Sequence, residues 1–436
     1  MISGLRYSLN ATKCLEIASR IILIRDAYSR RHKMDLESFD TKHIKNSAAE
    51  KSNIYGKEEQ SIICLEEFKY AKSEISSWPA YAPTPLVHLD GIAKYLKLGS
   101  LFHKDEGYRF ELQSFKALGG AYAISKLLKD MLHEKFSLAD VSNDDLKKRR
   151  YENITSQITF CAATDGNHGK SVAWGASQFG CKSKIYLHSG VSQTRESEIA
   201  KYGADIIRVK GSYDDSVKQC ALDAKKNSWS LVADTNAGGG SEDVPKLVMQ
   251  GYTVLVQEII DQLAETKYPT HVFVPGGVGG LAAAVAAHFH ESLGKKRPKI
   301  IVVEPNSAAC IFKSVQRDRI MKAEGNLDTF MACLSAGEVS PIAWPIIRSS
   351  VDHVIAIPDA AAIDAMKILA MPPFNDQSVN AGESGVAAIA GIISCAQKND
   401  LREKLDLTED SIVVAIGSEG VTDNQTFERV TGLKIN

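Results

Sequence analysis

HVFVPGGVGGLAAAVAA, residues 271 to 287, runs from an apolar, β-rich segment through Pro275 into four glycines and on into an alanine-rich helical stretch. Gly276, Gly277, Gly279 and Gly280 let successive backbone N–H groups converge around Val278, and a helix start adds partial positive charge. The turn is therefore shaped for a phosphate. It is not a Walker loop, because no G-K-[ST] follows, and its G-G-x-G-G spacing is not the G-x-G-x-x-G of a dinucleotide fingerprint. A tight turn whose glycines only permit close packing is the plainer alternative, and glycine at four of five positions weighs against it.

Outward from this turn, short β-rich and helical segments alternate. TFCAA, SKIYLHSG, DIIRVKG and SLVADTN read as strands, and GKSVAWGASQFG and TRESEIAKYG as the helices between them. A long helix is expected over PKLVMQGYTVLVQEIIDQL, then the strand of the opening stretch, the strand PKIIVVEP and a late strand in DSIVVAIGSEG. Alternation at this spacing predicts parallel βαβ units, hence an α/β protein of two wound sheets, with ligands at the carboxyl ends of the strands. The expected division is a polar N-terminal extension over 1–60, a large domain from 61–125 plus 235–436, and a small α/β domain over 126–234.

The chain has 436 residues, 52 Lys and Arg against 53 Asp and Glu, and a 44% apolar share. Such a length exceeds one ordinary core, and the balanced charge argues against nucleic acid or an anionic membrane as partner. The basic run LKKRR at 146–150 follows SNDD and reads as a solvated helix face. Eight scattered cysteines with no C-x-x-C pair suit reduced thiols in a cytoplasmic protein, not a disulfide framework or a metal site. No apolar run approaches membrane-spanning length. The first 33 residues carry five arginines but also Glu16 and Asp26, which gives an organellar presequence only weak support.

Two further loops carry chemistry. In SFKALGGAY (114–122), Lys116 sits in an apolar stretch just before paired glycines. A snorkelling surface lysine is the ordinary reading; the alternative is an amine in a partly dry site, available as nucleophile or base, and a phosphate turn elsewhere makes a phosphorylated aldehyde its partner. In AATDGNHGK (162–170), Thr164, Asp165, Gly166, Asn167, His168 and Gly169 form a polar turn at a strand's end. Capping explains part of it, but not the crowding of an acid, an amide and an imidazole.

S-F-K, T-D-G-N-H-G, P-G-G-V-G-G and a late G-S-E-G, in this order from about Pro83 to about Asp423, resemble the fold type II pyridoxal-phosphate enzymes, the group of serine and threonine dehydratases and the tryptophan synthase β chain. Within that group the chain is most similar to the diaminopropionate ammonia-lyases. FKALGGAYAI carries the double glycine, ATDGNHGKSVAWGA has aspartate where the dehydratases have serine, and LVADTN followed by VPKLVMQGYTVL resembles the segment with the second acid. The pattern departs after Asp234, at NAGGGSED, and in the N-terminal extension.

The resemblance implies the cofactor pyridoxal 5'-phosphate in the cleft between the domains, a small amino acid as substrate, no metal, and a homodimer. It implies that Lys116 binds the cofactor covalently and takes the Cα proton of an L substrate, and that Asp165 takes that of a D substrate. Asp234 would engage the β-ammonium or its departure, Asn167 the cofactor's phenolic oxygen, residues 276–280 (Gly276, Gly277, Val278, Gly279, Gly280) its phosphate, and Ser418 its ring nitrogen. A hydroxyl at that nitrogen does not enforce protonation, which suits elimination over transamination. The implied reaction converts D- and L-2,3-diaminopropionate to pyruvate and ammonia. A serine, threonine or 3-hydroxyaspartate dehydratase is the close rival, disfavoured by Asp165 and kept open by the altered run after Asp234. A nucleotide-binding oxidoreductase using the glycine turn would give Lys116 no role and the protein no colour, and a catalytically silent scaffold would not need every motif intact.

Overall fold

The computed structural model describes residues 39–49, 55–164, 166–235, 242–263 and 268–435. Two sheets organise them. The larger has seven strands in the order β1-β10-β9-β8-β11-β3-β2, and the smaller four in the order β6-β5-β4-β7. In the large sheet β3 (Ser100–Asp105), β8 (His271–Pro275), β9 (Lys299–Pro305), β10 (His353–Ile357) and β11 (Ile412–Gly417) are parallel. Antiparallel β1 (Lys42–Lys45) and β2 (Leu86–His88) close its two edges. The small sheet, β4 (Thr159–Ala163), β5 (Lys182–His188), β6 (Asp205–Val209) and β7 (Ser230–Leu231), is wholly parallel.

The central strands are continuous apolar runs because helices cover both faces. IIVVEP of β9 and HVIAI of β10 are buried throughout. The register pairs Pro275 with Val303 and Gly417 with Asp105, so β3, β8, β9 and β11 end on one edge of the sheet. That edge carries the glycine turn and Ser418, as expected for ligand sites in wound sheets.

Part of the polar stretch before residue 60 joins this sheet. Lys42–Lys45 pairs with β10 from Lys42 opposite Ala356 to Lys45 opposite His353. An edge strand needs backbone hydrogen bonds more than apolar side chains, so its composition carries little strand signal. The opposite error of scale occurs at SLVADTN, where β7 is only two residues long.

Three helices meet where the sheets adjoin. They are α1 (Lys116–Phe136), α2 (Asn167–Gln178) and α3 (Asp243–Leu263). The paired glycines after Lys116 bring them together. A Cβ at Gly119 would lie 2.5 Å from Tyr252 Cε1, and one at Gly120 would lie 2.4 Å from Ser171 Oγ. Close helix crossing, not backbone freedom, is what this G-G pair provides.

The approach to Lys116 is strained and clamped. Phe110, Glu111 and Gln113 hold positive φ of 49°, 60° and 60°, each at a cost of order 1 kcal/mol for a residue with a side chain. A buried ion cluster opposes that cost. Arg109 bridges Glu106 and Glu258 at 2.8 Å each, and Lys104 meets Glu258 at 2.7 Å. Thr84 donates its backbone N–H to Glu258 at 3.1 Å. Burial pushes the Glu258 carboxyl up, but hydrogen bonding to Arg109 and the charges of Arg109 and Lys104 outweigh it and hold the pKa at about 2, below the usual 4.5. A depressed folded-state pKa stabilises the fold above the unfolded value, and that stability disappears as pH falls from about 4.5 through about 2. Glu258→Gln is expected to cost about 3–5 kcal/mol by leaving two buried cations short of an acid. Urea melts at neutral pH check the loss, and melts through the acid range should show a weaker pH dependence in the variant.

LKKRR behaves as the sequence implies: Lys148, Arg149 and Arg150 are exposed and pair with Asp144, Glu152 and Asp145. The HFH triplet packs. His288 packs at a tilt against Phe68, ring centres 4.2 Å apart, and meets Gln257, while His290 meets Ser350 at 2.9 Å. Among the described residues no helix is long and apolar enough to cross a membrane.

Candidate active site

Lys116 begins α1 at the junction of the two sheets, with a fifth of its side chain open. Its Nζ donates to Asp234 Oδ2 at 2.6 Å and lies 5.5 Å from the Phe115 ring centre and 5.9 Å from that of Tyr252. Ser171 of α2 anchors the lysine's backbone by donating to its carbonyl at 2.7 Å. Burial disfavours the ammonium, but the charge of Asp234, Tyr252 and the hydrogen bond to Asp234 together outweigh burial and hold the lysine well above its usual pKa. Asp234 is the mirror case, since burial opposes its charge while Lys116, then His168, pull it well below the carboxylate range. The sequence named both residues; only the fold makes them an ion pair.

Asp234 stands just after β7, beside the start of α2. His168 Nε2 meets the Val232 carbonyl at 2.8 Å, and its Nδ1 is 4.0 Å from Asp234 Oδ2. Burial lowers the imidazole's pKa against the opposing pull of Asp234, and His168 braces the polar turn against the Asp234 strand. Asp165 and residues 236–241, which include most of the departing run, lie outside the described residues.

Asn167 opens α2 and donates through Nδ2 to Glu419 Oε2 at 2.5 Å. Glu419 is a hub that also accepts from Ser384 N at 3.1 Å and from Cys333 Sγ at 3.5 Å. Ser418 precedes it and accepts from Phe115 N at 3.1 Å, which places G-S-E-G beside the lysine. Glu383 is buried in the adjacent turn. Burial first, and then the charge of Glu419, push its carboxyl up to about 7.

The glycine turn completes the site. Gly277 and Gly279 have φ of +60° and +96°, and a Cβ at Gly279 would lie 2.5 Å from Ile347 Cδ1. The amides of Gly276 and Gly279 are used inside the protein, to Val303 O at 2.9 Å and Gly276 O at 3.2 Å. The first-turn amides of α4 (Gly280–Leu293) have no acceptor within the helix, so a phosphate fits them. Cys333 links the turn to the rest, with its carbonyl 3.6 Å from the position a Gly277 Cβ would take and its thiol against Asn167 and Glu419. An amine, an amide and a bare phosphate cradle around one junction fit pyridoxal phosphate.

Next to Asn167 and Cys333 opens a cleft of about 430 Å³, which Arg195, Lys170 and Asp423 also line. Sequence reasoning missed Glu419 as a partner of Asn167, and also Cys333, Tyr252 and Arg195. Glu419 lay inside a motif already quoted, but the others carry no local signal, because tertiary packing alone brings them here.

Two wound sheets with this constellation at their junction define a fold type II pyridoxal-phosphate enzyme. The family described as "Pyridoxal-phosphate dependent enzyme" matches residues 77–418. The diaminopropionate ammonia-lyase of Escherichia coli (strain K12) is 34% identical over 384 residues, covering 87% of this chain and 94% of that protein. That of Salmonella typhimurium is 37% identical over 363 residues, covering 81% and 88%. The crystal structure of the Escherichia coli enzyme in complex with an aminoacrylate-PLP azomethine reaction intermediate superposes with a TM-score of 0.80 at 33% identity, covering 90% of this chain and 97% of that one. The chain belongs to the pyridoxal-phosphate dependent enzymes and, within them, to the diaminopropionate ammonia-lyase family.

Proposed function

We propose that this chain converts both D- and L-2,3-diaminopropionate, with one water, to pyruvate and two ammonia molecules by α,β-elimination. The observation that carries the reading is the 2.6 Å pair of Lys116 and Asp234 beside the glycine cradle. It sets a carboxylate beside the amine, where a β-ammonium needs an acidic partner and a β-hydroxyl does not.

When bound, pyridoxal phosphate supplies an electron sink that acidifies the substrate Cα–H and drains the charge left behind. The residues do the rest. The turn Gly276, Gly277, Val278, Gly279 and Gly280 would hold the phosphate through amides other than those of Gly276 and Gly279, which are engaged within the protein, Asn167 would donate to the phenolic oxygen and Ser418 would meet the ring nitrogen. Lys116 Nζ would hold the cofactor and, as a free amine, would take the Cα proton of the L isomer. Asp165 takes that of the D isomer. Asp234 binds the β-ammonium and relays a proton between Lys116 and the departing nitrogen.

Residues 61–125 with 235–436, joined by β1, form the cofactor-binding domain in this proposal, residues 126–234 form the small α/β domain, and the enzyme works as a cytoplasmic homodimer. The 2.8 Å contact of His168 on α2 with the Val232 carbonyl supports treating the small sheet and the polar turn as one unit.

The experiment is pyruvate release from D- and L-2,3-diaminopropionate beside L-serine, L-threonine and 3-hydroxyaspartate. Turnover of both diaminopropionate isomers is expected; turnover of a hydroxy amino acid alone would mean dehydration instead. In the same assay Asp165→Asn should lower D turnover by about 10²–10⁴-fold, the usual worth of a positioned base, with L turnover retained. Equal losses on both isomers would reduce Asp165 to a cap of α2.

A further inference from the structure

Glu419 has no part in the roles above, yet the site is built around it. The residue is 3% exposed and its carboxylate takes three donors. Asn167 Nδ2 lies 2.5 Å and the Cys333 thiol 3.5 Å from Oε2, while Ser384 N lies 3.1 Å from Oε1. The donors brace one another as well, since Cys333 N donates to Ser384 Oγ at 3.0 Å. The Glu419 backbone is pinned on both sides. It bridges to Ser114, two residues before Lys116, and its carbonyl accepts from Gly382 N at 3.2 Å. The turn over 381–385 leaves room for it: a Cβ at Gly385 would run into the Glu419 carbonyl, and one at Gly382 would lie 3.2 Å from Glu419 Cγ.

We propose that Glu419 is a positioning residue for the cofactor, which fixes the amide of Asn167 with its NH2 group, and not its carbonyl, turned to the phenolic oxygen. The inference rests on the role proposed for Asn167. An amide has a donor end and an acceptor end of nearly equal size, and an unrestrained asparagine presents either. A carboxylate has only acceptors, so at 2.5 Å it admits the NH2 end alone. One N–H goes to Glu419, and the second stays free for the cofactor's oxygen. Turned the other way, Oδ1 would face the carboxylate and leave the phenolic oxygen without its donor. Glutamine cannot do the same work at this position. Its single oxygen serves either Asn167 or Ser384 N, and its own NH2 group then meets the other donor.

The test is a double-mutant cycle in holoenzyme with Asn167→Ala, Glu419→Gln and both together. It is read by the cofactor's visible absorption spectrum without substrate and by kcat. Asn167→Ala removes the donor outright and is expected to shift the absorption maximum and to lower kcat by about 10²-fold, the scale for one donor at a site of developing charge. Glu419→Gln should shift the maximum in the same direction and lower kcat by about 10-fold, the scale for one mispaired buried donor. In the double variant Glu419→Gln should cost less than about twofold more and shift the spectrum no further, because its effect passes through an amide that is gone. Glu419→Asp, run through the same cycle, keeps the charge but draws the oxygens back from Asn167 by one methylene, and it should couple to Asn167 in the same way. A role confined to holding the turn would give additive losses. Additive losses in both cycles, or a Glu419→Gln enzyme with wild-type spectrum and kcat, overturn the proposal while leaving Asn167 its role. If Asn167→Ala itself changes neither spectrum nor kcat, the role of Asn167 falls, and that of Glu419 with it. The spectrum decides this whichever amino acid the enzyme turns over.

Discussion

Lys116→Ala is expected to abolish the visible absorption band of the bound cofactor and to lower turnover on both diaminopropionate isomers by on the order of 10⁴-fold, because one substitution removes both the covalent attachment and a base. The structure adds a complication that the sequence did not contain. Lys116 also neutralises Asp234 at 2.6 Å, in a site where burial opposes either charge alone. Alanine therefore strands a carboxylate, and a loss of activity in that variant mixes chemistry with damage to the site. Lys116→Arg separates the two. The guanidinium keeps a partner for Asp234 and holds the site's charge balance, yet it cannot form the attachment or act as a base at neutral pH. Both variants should be colourless and inactive, with Lys116→Arg the more stable in thermal melts. Full activity in either one would remove Lys116 from the chemistry.

Asp234→Asn is expected to lower kcat by about 10²–10³-fold, the cost of losing one charged partner in a buried proton relay. Its pH signature is the sharper test. Burial pulls the Lys116 pKa down, and the Asp234 charge, Tyr252 and the hydrogen bond to Asp234 together push it up further. Removing the Asp234 charge takes away the largest of the raising influences, so the lysine pKa falls and its neutral form is present at lower pH. The acid limb of the kcat profile, which reports groups in the substrate-loaded enzyme, should move to lower pH while the maximum rate drops. D and L substrates should suffer alike, because Asp234 serves the amine and the leaving nitrogen, not one face of the substrate. A selective loss of one isomer would make Asp234 a facial base, and an unmoved acid limb would show that another group sets it.

Much of this site was legible in local sequence because its parts are local devices. A phosphate cradle needs adjacent residues without side chains, and Gly276, Gly277, Gly279 and Gly280 are consecutive apart from Val278. A strand ending in a polar turn before a helix is likewise written in neighbouring residues, as in TFCAATDGNHGK. The double glycine after Lys116 was visible but not its purpose, since Gly119 and Gly120 answer to Tyr252 and Ser171, more than fifty residues away.

The sequence alone determined the α/β class and the central parallel strands, because periodicity and glycine spacing act over a few neighbouring positions, and its four ordered motifs carried the resemblance that implied the cofactor. Tertiary structure alone decided that β1 joins the large sheet as an edge, where backbone pairing suffices, and that Asp234 is the ion-pair partner of Lys116. It also decided that Glu419 holds Asn167 and that Arg195 reaches the cleft. Charge balance and desolvation depend on which groups meet in space, and Lys116 with Asp234, 118 positions apart, and Asn167 with Glu419, 252 apart, meet here only because two sheets and three crossing helices bring their ends together.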